Sequence, residues 1–190
     1  MSPDRTNESE TNTTEVDSLP IDMNRYAWPT VDLDPVERMR ALAAGMPHVA
    51  ADETVFDVDF ERLWSFISDF EHSTAQFESS VSSARIVERV VERVVERVVV
   101  ERETQGDCER IVLHTRTPFG GPTLHFDVIL RPGWCLMHSK IGDIGMAARP
   151  EQNGKTRFFH FEGSSLLGRI AKPLFAWNIR QDFRKLRKLL

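Results

Sequence analysis

The chain has 190 residues, a length that suits one domain of ordinary size and a tail. Hydrophobic residues make up 41% and charged residues 28%, a usage typical of globular proteins that argues against a wholly disordered, fibrous or membrane-embedded chain. The formal net charge of -5 argues against nucleic acid as a partner, because phosphate binding requires a clustered basic surface.

The cysteines and the apolar runs argue against further classes of protein. The two cysteines, Cys108 and Cys135, form no CxxC pair and have no neighbouring ligands at the spacing of a metal site. The polar N-terminus does not resemble a secretory signal, and no apolar run approaches the roughly 20 residues that span a bilayer. We therefore expect a cytoplasmic protein with no integral membrane segment, no metal site and no cofactor.

The N-terminal part of the chain is expected to lie outside the main domain. Residues 1–25 contain too few large apolar side chains to offset the entropy of ordering, which predicts a disordered acidic tail. Residues 26–52 are predicted to form a helical extension. Asp34 is suited to cap a helix, Pro35 suits the first helical position, and Gly45 ends the pattern.

The main domain is predicted to start at Glu53 with a strand that runs directly into a helix. Alternating apolar and polar residues favour a short strand over Thr54–Asp59. After it, apolar residues recur with helical spacing and predict an amphipathic helix. They are Leu63, Trp64, Phe66, Ile67 and Phe70.

A valine-rich repeat occupies residues 87–102. Its Val-Glu-Arg-Val unit places pairs of valines four residues apart, a period closer to that of a helix than to that of a strand. Valine itself favours strands, because its side chain is stiff at the first torsion. We favour a long strand or a protruding hairpin arm, whose unpaired edge offers a route to self-association through these residues.

The middle of the chain is predicted to be an antiparallel meander. Strand-like runs are separated by short segments rich in glycine, proline and asparagine, which hairpin turns require. The predicted strands are Ile111–Thr117, Thr123–Arg131, Trp134–Ile141 and Thr156–Glu162.

The C-terminal segment Leu166–Leu190 is predicted to be a long amphipathic helix. Apolar residues form a stripe along it, and basic residues lie opposite. Pro173 is expected to kink this helix or to mark a break near its start.

Short motifs follow one another in a recognisable order. Phe60–Phe70 reads FERLWSFISDF, Gly154–Arg157 reads GKTR before the last strand, and the closing helix contains Leu166–Ile170 and Asp182–Leu186. With the order strand, helix, meander and long helix, these motifs resemble the START-like superfamily. That superfamily includes polyketide cyclases and birch-pollen-allergen-like (SRPBCC) proteins. The resemblance spans residues 53–190.

The resemblance implies an α+β helix-grip fold, in which a curved antiparallel sheet wraps round a long C-terminal helix. Members of the superfamily bind lipids, sterols, polyketides or plant hormones between sheet and helix, and some catalyse cyclisation or dehydration. We therefore expect a hydrophobic small molecule, lipid-like or polyketide-like, as the partner. The superfamily has no universal catalytic residue to carry over, so the residues leave open whether a reaction follows binding.

A cavity of this kind is lined mainly by apolar and aromatic side chains. Strand alternation predicts which residues of the meander point inward, and aromatic residues elsewhere supply further contact area. The expected ligand-binding residues are Trp64, Phe77, Leu113, Thr115, Leu124, Phe126, Val128, Trp134, Phe158 and Trp177.

Four histidines on the predicted strands are candidates for acid-base chemistry of the cyclase, aromatase or dehydratase kind, because histidine titrates near neutral pH. They are His114, His125, His138 and His160. Arg157, paired with Glu162, is a further candidate, for orienting a carboxylate-bearing ligand. The alternative is that all these residues are ordinary surface or hydrogen-bonded side chains.

Overall fold

The computed structural model describes residues 33–96, 104–118 and 121–190. Its strands are β1 (Val49–Phe56), β2 (Ser83–Glu96), β3 (Thr104–Arg116), β4 (Thr123–Arg131), β5 (Trp134–His138), β6 (Asp143–Pro150) and β7 (Thr156–Gly163). Its α-helices are α1 (Pro35–Ala44), α2 (Phe60–Ser68), α3 (Thr74–Phe77) and α4 (Lys172–Leu189). Two 3₁₀ turns span Gln152–Gly154 and Gly168–Ala171.

The seven described strands form one antiparallel sheet in the order β1-β7-β6-β5-β4-β3-β2. Strands β2 to β7 are a meander, whereas β1 pairs with β7 and lies at the edge opposite β2. Helices α2 and α3 therefore carry the chain from one edge of the sheet to the other. The curved sheet with α4 on its inner face confirms the predicted α+β helix-grip fold.

The inner face of the sheet carries the larger of two hydrophobic cores. Alternation along the strands directs Leu113 and Phe158 toward α2 and α4. From α4, Phe183 contacts Phe158 edge to face with ring centroids 5.7 Å apart, and Leu186 is fully buried. Burying each such side chain contributes roughly 1.5 to 3 kcal/mol relative to leaving it exposed.

Helix α4 starts later than the sequence pattern predicts. The 3₁₀ turn Gly168–Ala171 comes first, and Pro173 lies in the first turn of α4. Proline is tolerated there because the N–H groups of the first turn have no intrahelical hydrogen-bond acceptor. The expected break near Pro173 is therefore confirmed. Within the described ranges, no helix combines the length and the apolar character needed to cross a membrane.

The start of α1 follows directly from its sequence. The Asp34 carboxylate accepts hydrogen bonds from the backbone N–H groups of Val36 and Glu37 at 2.8 and 3.0 Å. The Glu37 carboxylate in turn accepts one from the Asp34 N–H at 3.2 Å, which completes a capping box. Asp34 also pairs with Arg149 of β6 and ties the helix to the sheet. The predicted helix start is confirmed.

Helix α1 packs on the outer face of the sheet and forms the second core. Val36 and Met39 of α1 contact Phe159 and Phe161 of β7, and all four are buried. Beneath them, a Cβ added to Gly145 would lie 2.1 Å from the Phe161 ring and 2.7 Å from the Met39 sulfur. Glycine at this position therefore sets how closely α1 approaches the sheet.

The predicted strands differ from the structure in two places. The predicted first strand, Thr54–Asp59, is wrong in position, because β1 spans Val49–Phe56 and the expected domain boundary between residues 52 and 53 falls inside it. Strand β6 has no counterpart among the predicted strands. On its outer face β6 presents Gly145 and Ala147, which are poor strand formers by themselves but leave room for α1 to pack against the sheet.

The valine-rich repeat forms part of β2 as far as Glu96. The pairing with β3 runs from Ser83 opposite Arg116 to Glu96 opposite Thr104, with a β-bulge between Ile86 and Glu88. A long strand is thus confirmed here, and the β-propensity of valine overrides the period of four. Residues 97–102 of the repeat and the predicted tail at residues 1–25 lie outside the described residues.

Asp143, the first residue of β6, forms hydrogen bonds to His138 at the end of β5 and to His48, the residue before β1. Its carboxylate lies 2.6 Å from Nδ1 of His138 and 2.8 Å from Nε2 of His48. Burial by itself would raise the pKa of Asp143, but the hydrogen bonds and positive charge of the two histidines lower it overall. The ionised carboxylate therefore stabilises the folded state.

Gly145→Ala is expected to destabilise the protein by about 1 to 3 kcal/mol, because the added methyl group overpacks the contact between α1 and the sheet. Gly45→Ala is the matched control, since a Cβ there meets only a carbonyl oxygen at 3.4 Å. Urea unfolding measures both variants. Equal stability of the two would show that α1 does not depend on a small residue at position 145.

Asp143→Asn is expected to lower the free energy of unfolding by about 1 to 3 kcal/mol at pH 7, through the loss of charge-assisted hydrogen bonds. The lowered pKa means that this stabilisation is present above about pH 4, the ordinary pKa of an aspartate, and is lost as the pH falls through the folded-state value.

The difference between wild type and Asp143→Asn should therefore shrink in urea unfolding below pH 4. Asp57→Asn serves as the control, because the Asp57 side chain is 88% exposed and should change stability little at any pH. A difference for Asp143→Asn that is as large in acid as at pH 7 would contradict the assignment.

Candidate functional site

A cavity of about 340 Å³ lies between the inner face of the sheet and α3 and α4. Strands β3 to β6 supply one wall, because alternate side chains on each strand point inward. The volume lies at the lower end of the range typical of small-molecule pockets, about 300 to 1,000 Å³. The apolar lining residues are Phe77, Val81, Leu113, Leu124, Phe126, Met137, Ile141, Ile144, Met146, Leu167, Leu174 and Phe175.

Solvent-exposed apolar side chains form the mouth of this cavity. Leu167 and Leu174, before and within α4, line the cavity and are 54% and 60% exposed. Ile141, on the turn between β5 and β6, is 39% exposed and also lines it. Leu166 and Ile170, close by in the chain, are exposed as well. The cavity is therefore open to solvent through an apolar rim.

Buried polar residues line another part of the cavity wall. Glu78 follows α3, Glu162 lies near the end of β7, and Asn178 lies on the face of α4 toward the sheet. His160 and Asp182, each 1% exposed, lie behind this wall, where His160 contacts Glu162 and Asp182 has a carboxylate oxygen within 4.8 Å of ligand atoms of Glu78, His160 and Glu162. Together the five residues make up the buried polar cluster.

His160 lies at the centre of the buried polar cluster. Its Nδ1 atom is 3.0 Å from the carbonyl oxygen of Gly145, which only accepts hydrogen bonds, so Nδ1 donates. Its Nε2 atom lies 2.9 Å from Oε1 of Glu162 and 3.4 Å from Oε1 of Glu78. Nε2 thus faces two carboxylates, and this contact is favourable when a positive charge resides there.

The other members of the cluster hold the carboxylates in place. Nδ2 of Asn178 donates hydrogen bonds to both carboxylate oxygens of Glu162, at 3.1 and 2.8 Å. Oδ1 of Asp182 accepts hydrogen bonds from the backbone N–H and the hydroxyl of Ser79, at 3.0 and 3.1 Å. Oδ2 of Asp182 is buried and has no hydrogen-bond partner among the described residues.

The environment of the cluster favours bound protons. Burial raises the pKa of Glu78, and the negative charge of Glu162 adds to this effect. Burial, followed by the charges of Glu78 and Glu162, raises the pKa of Asp182 to about 8. Burial alone would lower the pKa of His160, but its hydrogen bonds to Glu162 and Glu78 outweigh this and raise it well above its ordinary value.

The expected ligand-binding residues fall into two groups. Half of them line the cavity, namely Phe77, Leu113, Thr115, Leu124 and Phe126. The others lie elsewhere. Trp64, Val128 and Phe158 belong to the inner core, Trp134 packs with the outer core, and Trp177 is 55% exposed on α4.

The histidine candidates do not converge. His114 and His125 lie against each other across β3 and β4, with ring centroids 3.9 Å apart, on the face away from the cavity. His138 is also on that face, paired with Asp143, and its side chain is 65% exposed. Neighbouring residues on a strand point to opposite faces, and only His160 of the four points inward.

Arg157 does not pair with Glu162. Its guanidinium contacts Glu53 at 2.9 Å and Glu151 at 2.5 Å, on the outer face of the sheet. The five-residue separation between Arg157 and Glu162 on β7 places their side chains on opposite faces, so the expected pair is sterically impossible.

The sequence analysis does not predict Glu78, Asn178 or Asp182 as site residues. Two patterns in the sequence indicate the β7 and α4 parts of the cluster, and none indicates Glu78. His160 and Glu162 share a face because they are two residues apart on a strand, and Asn178 and Asp182 share a face because they are four apart on a helix. Polar residues on the apolar stripe of α4 were therefore a signal of a buried polar site.

No protein-family model matches the chain, and no curated protein matches it at a significant level. Solved structures do match. XoxI from Bacillus cereus, 10% identical, has a TM-score of 0.52, with 75% of this chain and 94% of that protein covered. A START superfamily protein from Mycobacterium smegmatis, 13% identical, has a TM-score of 0.49, with 74% and 95% covered.

A third match is protein CV1439 from Chromobacterium violaceum, 14% identical, with a TM-score of 0.48 and coverage of 76% of this chain and 97% of that protein. At these identities the similarity concerns the fold alone, and of the three only XoxI exceeds a TM-score of 0.5. The chain has a helix-grip fold, with a seven-stranded antiparallel sheet and α4 on its inner face.

Proposed function

We propose that the protein binds a hydrophobic small molecule, lipid-like or polyketide-like, in the cavity between the sheet and α4. The observation that carries the proposal is a cavity walled mainly by apolar side chains inside a helix-grip fold. Burial of apolar surface is the main source of affinity in such pockets, and a few polar groups orient the ligand.

The mouth of the cavity supports an apolar ligand. Leu167 and Leu174 are more than half exposed. Exposure of an apolar side chain to water is unfavourable, because burial of apolar surface is what lowers its free energy. A hydrophobic molecule that enters between them remains in contact with apolar groups from the rim to the interior. The exposed rim is then covered in part when the ligand is bound.

The polar part of the wall supports a ligand with one hydrogen-bonding group. Glu78, Glu162 and Asn178 all present polar atoms near the cavity, and Thr74 lines it with a buried hydroxyl that has no hydrogen-bond partner among the described residues. A hydroxyl or carbonyl group on an otherwise apolar molecule would satisfy this hydroxyl. The proposed ligand is therefore amphipathic, with a small polar end.

Ile144→Trp is expected to weaken binding of a fluorescent fatty-acid probe by at least about tenfold, because the larger side chain fills cavity volume that the ligand needs. Ile144 is half-buried and lines the cavity, whereas Ile129 is half-buried on the opposite face of the sheet. Ile129→Trp is therefore the matched control and should bind the probe like wild type.

Fluorescence titration measures both variants, with far-UV circular dichroism as the check on folding. Equal affinity of the two tryptophan variants, or no probe binding by the wild type, would count against the cavity as the binding site. The natural ligand is sought by native mass spectrometry of the purified protein, followed by extraction of any bound small molecule.

A second candidate function is an enzyme of the cyclase, aromatase or dehydratase kind. Glu78 and Glu162 both line the cavity and contact His160, which favours it, because a histidine and carboxylates beside a bound molecule are the usual groups of general acid-base catalysis. One measurement distinguishes the two candidate functions. A ligand recovered unchanged after incubation with the protein supports binding alone, whereas a new product identified by mass spectrometry supports an enzyme.

Self-association through residues 87–102 stays a prediction from the sequence. The described part of this segment belongs to β2, which lies at the edge of the sheet. Val87 and Val91 on this strand are 55% and 59% exposed, and an exposed edge strand is a common route to pairing between chains.

A further inference from the structure

We propose that Glu78, His160, Glu162 and Asp182 bind a first-row divalent transition-metal ion beside the cavity. Each residue offers one ligand atom, and these four atoms all lie within 4.8 Å of one another. All four residues are buried, with exposed fractions of 5% or less. The expectation of no metal site considered only histidines and cysteines close in sequence, whereas these four residues come from three separate parts of the chain.

The orientation of His160 is that of a metal ligand. Its Nδ1–H is engaged by the carbonyl oxygen of Gly145 at 3.0 Å, which leaves the Nε2 atom as the ligand toward the carboxylates. A metal-binding histidine usually donates its other ring N–H to a backbone carbonyl or a carboxylate in this way, because the bond fixes the tautomer and the ring orientation.

The spacing of the ligand atoms also suits a metal ion. An ion about 2.0 to 2.2 Å from each nitrogen and oxygen ligand has neighbouring ligand atoms roughly 3.0 to 3.5 Å apart. Nε2 of His160 lies 2.9 Å from the Glu162 carboxylate and 3.4 Å from the Glu78 carboxylate. These two distances match that spacing, and the remaining ligand atoms, all within 4.8 Å of one another, would move closer together around an ion.

Asp182 supplies an independent observation that points to a ligand. Its Oδ2 atom is buried without a hydrogen-bond partner among the described residues, although the residue is only 1% exposed. An unsatisfied carboxylate oxygen in the interior is costly, and metal coordination is one of the ways in which proteins satisfy such a group. Its sister atom Oδ1 is held by Ser79, which fixes the direction of Oδ2.

The charges of the cluster fit a dipositive ion. Three carboxylates and one neutral imidazole carry a charge of -3 when unprotonated, in surroundings that are otherwise mainly apolar, so an ion would neutralise most of it. Asn178 donates to both oxygens of Glu162 and acts as a positioning residue for that ligand. Three oxygen ligands and one imidazole nitrogen suit Zn²⁺, Mn²⁺ or Fe²⁺, whereas Mg²⁺ and Ca²⁺ prefer oxygen ligands alone.

The test uses the 190-residue protein, stripped of metal with a chelator and titrated separately with Zn²⁺, Mn²⁺ and Mg²⁺ in a calorimeter. The wild type is expected to bind Zn²⁺ or Mn²⁺ at one ion per chain and to unfold at a higher temperature when loaded. Asp182→Asn should weaken this binding by at least about tenfold and remove the rise in unfolding temperature. Mg²⁺ should produce neither effect.

Asp57→Asn is the matched control, because the Asp57 side chain is 88% exposed and forms no recorded contact with a residue of the buried polar cluster. It should bind the metal like wild type. Substitution of Co²⁺ adds a spectroscopic readout, since coordination by protein ligands intensifies its visible absorption, and Asp182→Asn should lose that signal.

Two results would overturn the proposal. One is the absence of one-to-one Zn²⁺ or Mn²⁺ binding by the wild type. The other is that wild type and Asp182→Asn bind Zn²⁺ or Mn²⁺ with equal affinity. Weak binding of several ions at surface carboxylates would give this second result. If Asp182→Asn fails to fold by circular dichroism, Glu78→Gln replaces it with the same expectations. Binding of the hydrophobic probe is measured separately, so failure here leaves the proposed ligand cavity untouched.

Discussion

The contact between α4 and the inner face of the curved sheet is the constraint on which the rest of the structure depends. Seven strands spaced about 4.8 Å apart span roughly 29 Å, whereas a helix with its side chains is only about 10 to 12 Å wide. One helix cannot cover such a face. The C-terminal part of α4 fills its share with Ile179, Phe183 and Leu186, and the cavity occupies space that α2, α3 and α4 leave uncovered.

The buried polar cluster lies where α3, β7 and α4 meet. A polar group in a hydrophobic interior needs a partner, and several contacts of the cluster join different elements. Asp182 of α4 holds Ser79, Asn178 of α4 holds Glu162 of β7, and Glu162 contacts His160. The cluster therefore joins the helix to the sheet beside the cavity, and the charge it concentrates there makes this part of the wall chemically different from the rest.

The two faces of the sheet perform different tasks. On the outer face, α1 packs closely over small residues, and the network of Arg157, Glu53 and Glu151 holds the edge strand in place. On the inner face, large apolar side chains surround a space. The residues that alternate along β7 illustrate this division, since Phe159 and Phe161 point to α1 while His160 and Glu162 point to the cavity side.

Local patterns in the sequence determined α1, α2, α4, most strands and the inward set of the meander, because capping residues, turn residues and alternation act over a few neighbouring positions. Asp34 and Pro173 mark their helix starts for this reason. Strand β6 and the buried polar cluster were decided only by tertiary structure. Small residues become a strand once α1 and β7 flank them, and Glu78, His160 and Asp182 meet only because the fold brings together residues that lie up to 104 positions apart.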